Sequence, residues 1–263
     1  NGNISAISAG GEIDPALSLL TGGVTSVAGV PSAALDRPPT LADFAAGAVN
    51  TTDIGAFRTL RAKTDAVTAN AVYAKPLSGG STLSVNAGLT YSESMGTRGL
   101  ASAGLILPAA SVWSPFAGDT RINRYLSEFG ALDDRSRDWT GHLGATVNGS
   151  MGGWTWSLTG NYDHADVRSR NETGYDLSGV QGRIDTLDAL YNPYGPIDAT
   201  QAGLLTNTAR SIANSGDAKL VMTRAPFKMP AGKASLTATI GGKATGLDSQ
   251  SLRGTSATAA NLS

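Results

Sequence analysis

The chain has 263 residues, 41% of them hydrophobic and 16% charged, with 33 Gly and no Cys. That mixture is too polar for a bundle of membrane helices, and no stretch approaches the roughly 20 apolar residues that a membrane helix requires; the missing Cys excludes disulfides and thiolate metal sites. A net charge of −1, from 20 basic and 21 acidic residues, provides no global field to draw in nucleic acid.

The first residues, Asn1-Gly-Asn-Ile-Ser, lack a basic region followed by an apolar run, so any signal peptide is expected upstream. Residues 1–54 are rich in Ala, Gly, Ser and Pro and read as a long loop region. Within it, Arg37-Pro38-Pro39-Thr40 makes a turn before a short helix from Leu41 to Ala46. A first strand near residues 57–74 puts Val67, Ala69, Ala71 and Tyr73 on one side, and the turn Lys75-Pro76-Leu77-Ser78-Gly79-Gly80 leads into a second near 81–92. There the period of two is strict, because successive strand side chains point to opposite faces. Leu83, Val85, Ala87, Leu89 and Tyr91 oppose Thr82, Ser84, Asn86, Gly88 and Thr90.

A long connection, residues 93–136, carries Trp113, Phe116, Arg121, Arg124 and Tyr125. Aromatic and Arg side chains are favoured anchors of binding surfaces, so these are candidate ligand contacts; the alternative is that they pack the loop into an ordered cap. Asp133-Asp134 at its foot, followed by Arg135 and Arg137, reads as self-paired surface charge, with Ca²⁺ ligation the rival reading.

The next strand, near 138–150, sets Trp139, Gly141, Leu143, Ala145 and Val147 against Thr140, His142, Gly144, Thr146 and Asn148. After the compact turn Met151-Gly152-Gly153 its partner, near 153–163, sets Trp154, Trp156, Leu158, Gly160 and Tyr162 against Thr155, Ser157, Thr159, Asn161 and Asp163. A second long connection, 164–217, adds Tyr175, Tyr191 and Tyr194 to the candidate ligand contacts, beside Arg168, Arg170 and Arg183. Ile184, Leu187 and Leu190 suggest a short helix over 182–190. A third hairpin pairs strands near 218–225 and 233–245 about a turn at 226–232, and residues 253–263 read as a terminal loop.

Six strands in three hairpins, with short and long connections alternating, predict an all-β fold: an antiparallel transmembrane β-barrel segment with short periplasmic turns and long extracellular loops. Tyr73, Trp154 and Trp156 near the short turns, and Tyr91, Trp139 and Tyr162 at the opposite ends, are the expected membrane-interface aromatics. The rival fold is a soluble β-sandwich, whose strands also alternate. Six strands cannot close a bacterial barrel, which begins at about eight, so the wall is expected to continue on the same or another chain. His142 and His164, the only histidines, have no metal-ligand spacing, and neither a nucleophile elbow nor a phosphate-cradling loop occurs; no metal and no cofactor is expected.

Several phrases resemble TonB-dependent outer-membrane receptors: residues 64–80, 82–94, the Trp113-Ser-Pro-Phe-Ala-Gly-Asp119 motif, 137–166 and 186–197. The resemblance covers about residues 65–252 and rests on texture rather than on one diagnostic motif. It implies a bacterial outer-membrane location, a barrel of 22 strands around a plug domain, and ligand import energised by TonB. On that reading this chain supplies wall and extracellular loops and no catalytic residues, while the plug, and TonB acting through it, lie outside the residues given. The expected partners are outer-membrane lipid, the rest of the barrel and plug, and an unidentified imported ligand. The rivals are a passive porin-like or adhesin barrel, and an outer-membrane hydrolase with a Ser, a His and a polar acceptor converging on one barrel face.

Overall fold

The computed structural model describes residues 2–229 and 232–254. The protein is mostly antiparallel β, and its strands in chain order are β1 (Asn3–Ala6), β2 (Val27–Gly29), β3 (Lys63–Pro76), β4 (Thr82–Leu100), β5 (Ser102–Leu107), β6 (Thr120–Tyr125), β7 (Ala131–Met151), β8 (Trp154–Asp176), β9 (Gly203–Arg224), the two-residue pair β10 (Lys228–Met229) and β11 (Gly232–Lys233), and β12 (Leu236–Leu252). The helices are α1 (Pro15–Thr21), α2 (Leu41–Ala45) and α3 (Ser178–Asp185).

The large sheet runs β12-β9-β8-β7-β4-β3, every neighbour antiparallel and adjacent in hairpin order, with β3 and β12 as open edges. Its tightest turn is Gly152-Gly153 between the paired Met151 and Trp154. Both glycines have positive φ, 58° and 79°, which a two-residue type I′ turn demands at each position.

Register sorts the side chains into rows. On one face Ala71, Ala87, Leu143, Tyr162, Gly216 and Ala244 stand side by side, followed by Tyr73, Val85, Ala145, Gly160, Ala218 and Gly242. A further row holds Leu83, Val147, Leu158, Leu220 and Ile240. The opposite face carries rows such as Asn86, Gly144, Asn161, Asp217 and Lys243. The apolar face is not a core: Val67, Leu143, Leu158 and Ile240 remain exposed, Leu143 at 52%.

β3 begins at Lys63 rather than near 57, after a 3₁₀ turn at Gly55–Phe57, but the other long strands exceed their predicted lengths. β4 continues to Leu100 and β7 begins at Ala131, β8 continues to Asp176 and β9 begins at Gly203, and β12 reaches Leu252. These extensions occupy much of what reads as loop at 93–136 and 164–217. Ladder hydrogen bonding needs no apolar face, and here both faces are polar, so period-two alternation carries no signal. The predicted turn at 226–232 falls partly, and the terminal loop at 253–263 mostly, outside the described residues.

The buried core lies elsewhere. Residues 2–50, 101–130 and 177–202 fold together at the end of the sheet opposite the short turns, around a small sheet ordered β2-β1-β6-β5. The N-terminal region, expected to be loop, supplies two of its strands; β1 pairs with β6 in the register Ile4↔Ile122. Pairing between residues more than 110 positions apart leaves no local trace. Ile4, Leu17, Phe44, Leu107, Ile122 and Leu126 are fully buried there. α2 starts where expected, because Thr40 and Asp43 form a reciprocal capping box and Asp43 also pairs with Arg37 at 2.9 Å. α3 lies earlier than expected: it ends at Asp185, Leu187 has a φ of +57°, and Leu190 is exposed, so Val180 and Ile184 form its buried face.

Gly149 gives a sharp test of the β7–β8 pairing. It faces Trp156, and a Cβ there would come within 2.5 Å of the indole. Gly149→Ala should lower the stability of the folded protein by about 1–3 kcal/mol, read as a shift in the denaturant midpoint. Gly246→Ala, on the same face with open space around it, should leave the midpoint nearly unchanged.

Candidate functional site

Three surfaces bear on function: the two faces of the large sheet and the cap. On the apolar face, Trp154 and Trp156 occupy the last two β8 positions at the short-turn end, and Tyr91 and Trp139 share a row near the other. The Tyr91 and Trp139 rings lie 4.9 Å apart, and the Tyr91 hydroxyl donates to Glu93 Oε2 at 3.1 Å. An apolar ring with its hydroxyl turned toward charge suits a boundary between oil and water. Tyr73 and Tyr162 stand in rows between these ends. β3 finishes at Pro76, level with Asn148 through Thr82 and so three residues short of Met151, which keeps Tyr73 near the rim of its own hairpin. Tyr162 reaches Asn214 Oδ1 with its hydroxyl, 2.9 Å, and His164 Nδ1 meets the same oxygen at 2.7 Å.

Beyond Trp139 the same face turns charged. One row holds Asp65, Glu93, Arg137, Arg168 and Arg210, and the next holds Arg135 opposite Arg170. Glu93 binds both Arg135 and Arg137, and Asp166 binds Arg168 and Arg210 at 2.9 and 2.7 Å.

The polar face bounds an open trough of about 940 Å³. Asn70, Asn86, Thr90, Thr140 and Thr245 line it together with Val72, Ala165, Ala213 and Leu247, around His142 and Asp163. Register places these last two opposite each other, with Nδ1 2.6 Å from Asp163 Oδ1. Ser215 donates to the other carboxylate oxygen at 3.4 Å. The serine therefore contacts the carboxylate rather than the imidazole, and the trio lacks the Ser-to-His proton path of an acyl-transfer site. Alternation alone puts His142 and Asp163 on the polar face; only the register brings them together.

The loop candidates mostly hold the cap together. Trp113, Phe116 and Tyr194 are buried, so no ligand reaches them without the cap opening. Phe44 packs 4.9 Å from Phe116 and 6.4 Å from Tyr194, and the Tyr194 hydroxyl donates to the Trp113 carbonyl at 3.1 Å. Burial pushes that phenol well above its ordinary range. Tyr175 stacks on Phe129 at 4.4 Å, and Tyr191 lies beneath the Arg183 guanidinium, 4.4 Å from its centroid. Arg124 bonds Glu128 at 2.8 Å and the Gly195 carbonyl. Only Tyr125 and Arg121 look outward, beside Asn123 on the exposed side of the small sheet. Among the described residues no cluster of three or more His, Asp or Glu is placed to hold a metal; at the Asp133-Asp134 pair, the Asp133 amide donates to Glu172 at 2.9 Å.

Comparison with known protein families, with curated proteins and with solved structures finds no match to this chain.

The cap should be acid-sensitive. Asp188 accepts from Arg183 at 2.7 Å and from the Leu190 amide at 3.0 Å, which holds its carboxyl below the usual carboxylate range. A depressed folded pKa adds stability that is present above the unfolded value, about 3.9, and is lost as pH falls through the folded one. The Trp113 indole, whose Nε1 donates to the Ala189 carbonyl at 3.2 Å, is the reporter. Its emission should shift on acidification below about pH 4, and Asp188→Asn should weaken that pH dependence while Asp65→Asn leaves it intact.

Proposed function

We propose that this chain is wall and outer loops of an outer-membrane β-barrel of the TonB-dependent receptor type, importing a ligand through a barrel completed by further strands. The observation that carries the reading is the apolar face. Along β7 it runs from Trp139 to Met151, twelve residue steps, or about 41 Å at about 3.4 Å per residue. A tilt of about 45° turns this into a height of about 29 Å, close to the hydrocarbon layer of about 30 Å. Aromatic rings end the band, a charged belt follows, and the opposite face is polar, as a wall between lipid and a wet lumen requires.

A sandwich would cover that apolar face with a second sheet. Here the second sheet packs into the cap, and the large side chains of the face stay exposed. The open edges at β3 and β12 support continuation of the wall, since unpaired main-chain groups in lipid cost several kcal/mol each. The short turns would then lie in the periplasm and the cap outside the cell. The trough would then face the lumen beside a plug. The resemblance of residues 65–252 to the receptor family, rather than any site geometry, favours energised import over a passive pore; a complete polypeptide without plug or TonB-interacting segment would leave the porin-like reading.

The test is electrophoretic mobility before and after heating, on protein extracted in detergent from outer membranes. A heat-modifiable species of a large closed barrel is expected; a soluble, heat-indifferent protein would sink the proposal. Face-specific variants sharpen it. Leu143→Arg, on the apolar face, should reduce membrane assembly, at a cost of about 2–4 kcal/mol near the midplane, whereas Thr146→Arg on the polar face should assemble almost normally.

A further inference from the structure

Two arginines at the cap end of the large sheet stand apart from its ion pairs. Arg58 and Arg98 face each other in an isolated antiparallel bridge, and like charges directly opposite destabilise such a pairing. Both are exposed, and neither forms an ion pair among the described residues, whereas Arg135, Arg137, Arg168, Arg170 and Arg210 all do. Their neighbours hold them in place. The Thr59 amide donates to the Thr97 carbonyl at 3.0 Å, the Thr97 amide donates to Thr59 Oγ1 at 2.9 Å, and the two hydroxyls meet at 2.8 Å. The two arginines share a cavity of about 370 Å³ with Thr59, Ser94, Thr97 and Asp134. Asp134 is the one carboxylate lining it; it is half-buried, and the Asn171 amide donates to its Oδ1 at 2.6 Å, which leaves Oδ2 without a partner among the described residues. Asp133 and Glu172 line an adjoining cavity with Arg135 and Arg170, where Glu93 takes Arg135 and Glu172 takes Arg170. Net charge is therefore not what singles the first cavity out. Two guanidiniums and a carboxylate line it together and do not pair with one another.

We propose that this cavity binds a small zwitterionic solute of the amino-acid or short-peptide class, its carboxylate taken by Arg58 and Arg98 and its ammonium by Asp134. The planar fork of a guanidinium matches a carboxylate, and one anionic group between two arginines relieves their mutual repulsion. A ligand with negative charge alone leaves Asp134 unpaired beside it, so the same carboxylate selects against phosphate and simple anions. The threonine brace fixes the arginines before the solute arrives, which lowers the entropy lost on binding. The inference deepens the import reading, on which the solute's onward path rests. Asp134 lies on the same face of β7 as His142, eight residues nearer the cap, so a captured solute stands above the trough. Binding itself requires no membrane.

The experiment is a calorimetric titration of the detergent-solubilised protein with L-alanyl-L-alanine, with its C-terminal amide, with its N-acetyl derivative and with inorganic phosphate. The dipeptide should bind at least about tenfold more tightly than each of the other three. Arg58→Gln/Arg98→Gln should lower dipeptide affinity to that of the amide, and Asp134→Asn should lower it to that of the N-acetyl form, with unchanged tryptophan emission confirming that each variant folds. Should either not fold, Arg98→Lys, which keeps the charge and removes the planar fork, should reduce the preference for dipeptide over amide by a smaller factor. Absence of dipeptide binding, equal binding of all four probes, tighter binding of phosphate, or unchanged dipeptide affinity in a folded variant would overturn the proposal. A protein that prefers the dipeptide yet is soluble without detergent and heat-indifferent upholds the site and overturns the import reading, which separates the two failures.

Discussion

Everything in the large sheet follows from main-chain hydrogen bonding along five long antiparallel ladders. Each ladder fixes which residues share a row, and shifting β7 or β8 by a single residue would move Leu143 or Leu158 to the polar face. The type I′ turn at Gly152-Gly153 sets the register of β7 on β8, and β4 and β9 extend it outward. Faces, belts and trough are properties of the rows and not of any single strand. Among the described residues β3 and β12 are the edges of the sheet, and each keeps one side unpaired.

Sequence made the central part of each hairpin legible, since one face there is apolar and the other polar. Leu83 to Tyr91 and Trp139 to Val147 alternate without a break, and the structure pairs them as neighbours. The outer ends of the strands were invisible for a definite reason. From Glu93 and Arg137 outward both faces meet polar surroundings, so the alternation that identifies a strand vanishes while the ladder continues. The cap was hidden by another route. Ile4 faces Ile122 across a sheet, and Asp14, which caps α1, also accepts from the Ala117 amide at 2.8 Å. Such partners are set by tertiary packing and have no spacing rule.

The same division explains what became of the site residues. Aromatics in the long connections were legible as ordered anchors, but composition does not say whether an anchor faces a ligand or a neighbouring loop. Phe44, Phe116 with Trp113, and Tyr194 join three separate segments into one core and spend their surface on one another. The His142 and Asp163 pair and the Arg belt were not legible, because each needs cross-strand register to bring its members together. The sheet therefore holds its polar and charged constellations at rows, whereas the cap holds its aromatics at a core.

The β1–β6 pairing has a kinetic consequence. The β7–β8 hairpin closes a two-residue loop and can zip within microseconds, but β1 must find β6 across more than a hundred intervening residues, as the Ser5–Asn123 hydrogen bond illustrates. Loop closure of that span is entropically expensive before any contact rewards it. The cap is thus the last part able to form, and until it does Ile4, Phe44 and Ile122 stay wetted beside two unpaired strand edges. A chain built this way has its most aggregation-prone interval after its hairpins are made, and the slow cap rather than the fast sheet sets how long that interval lasts.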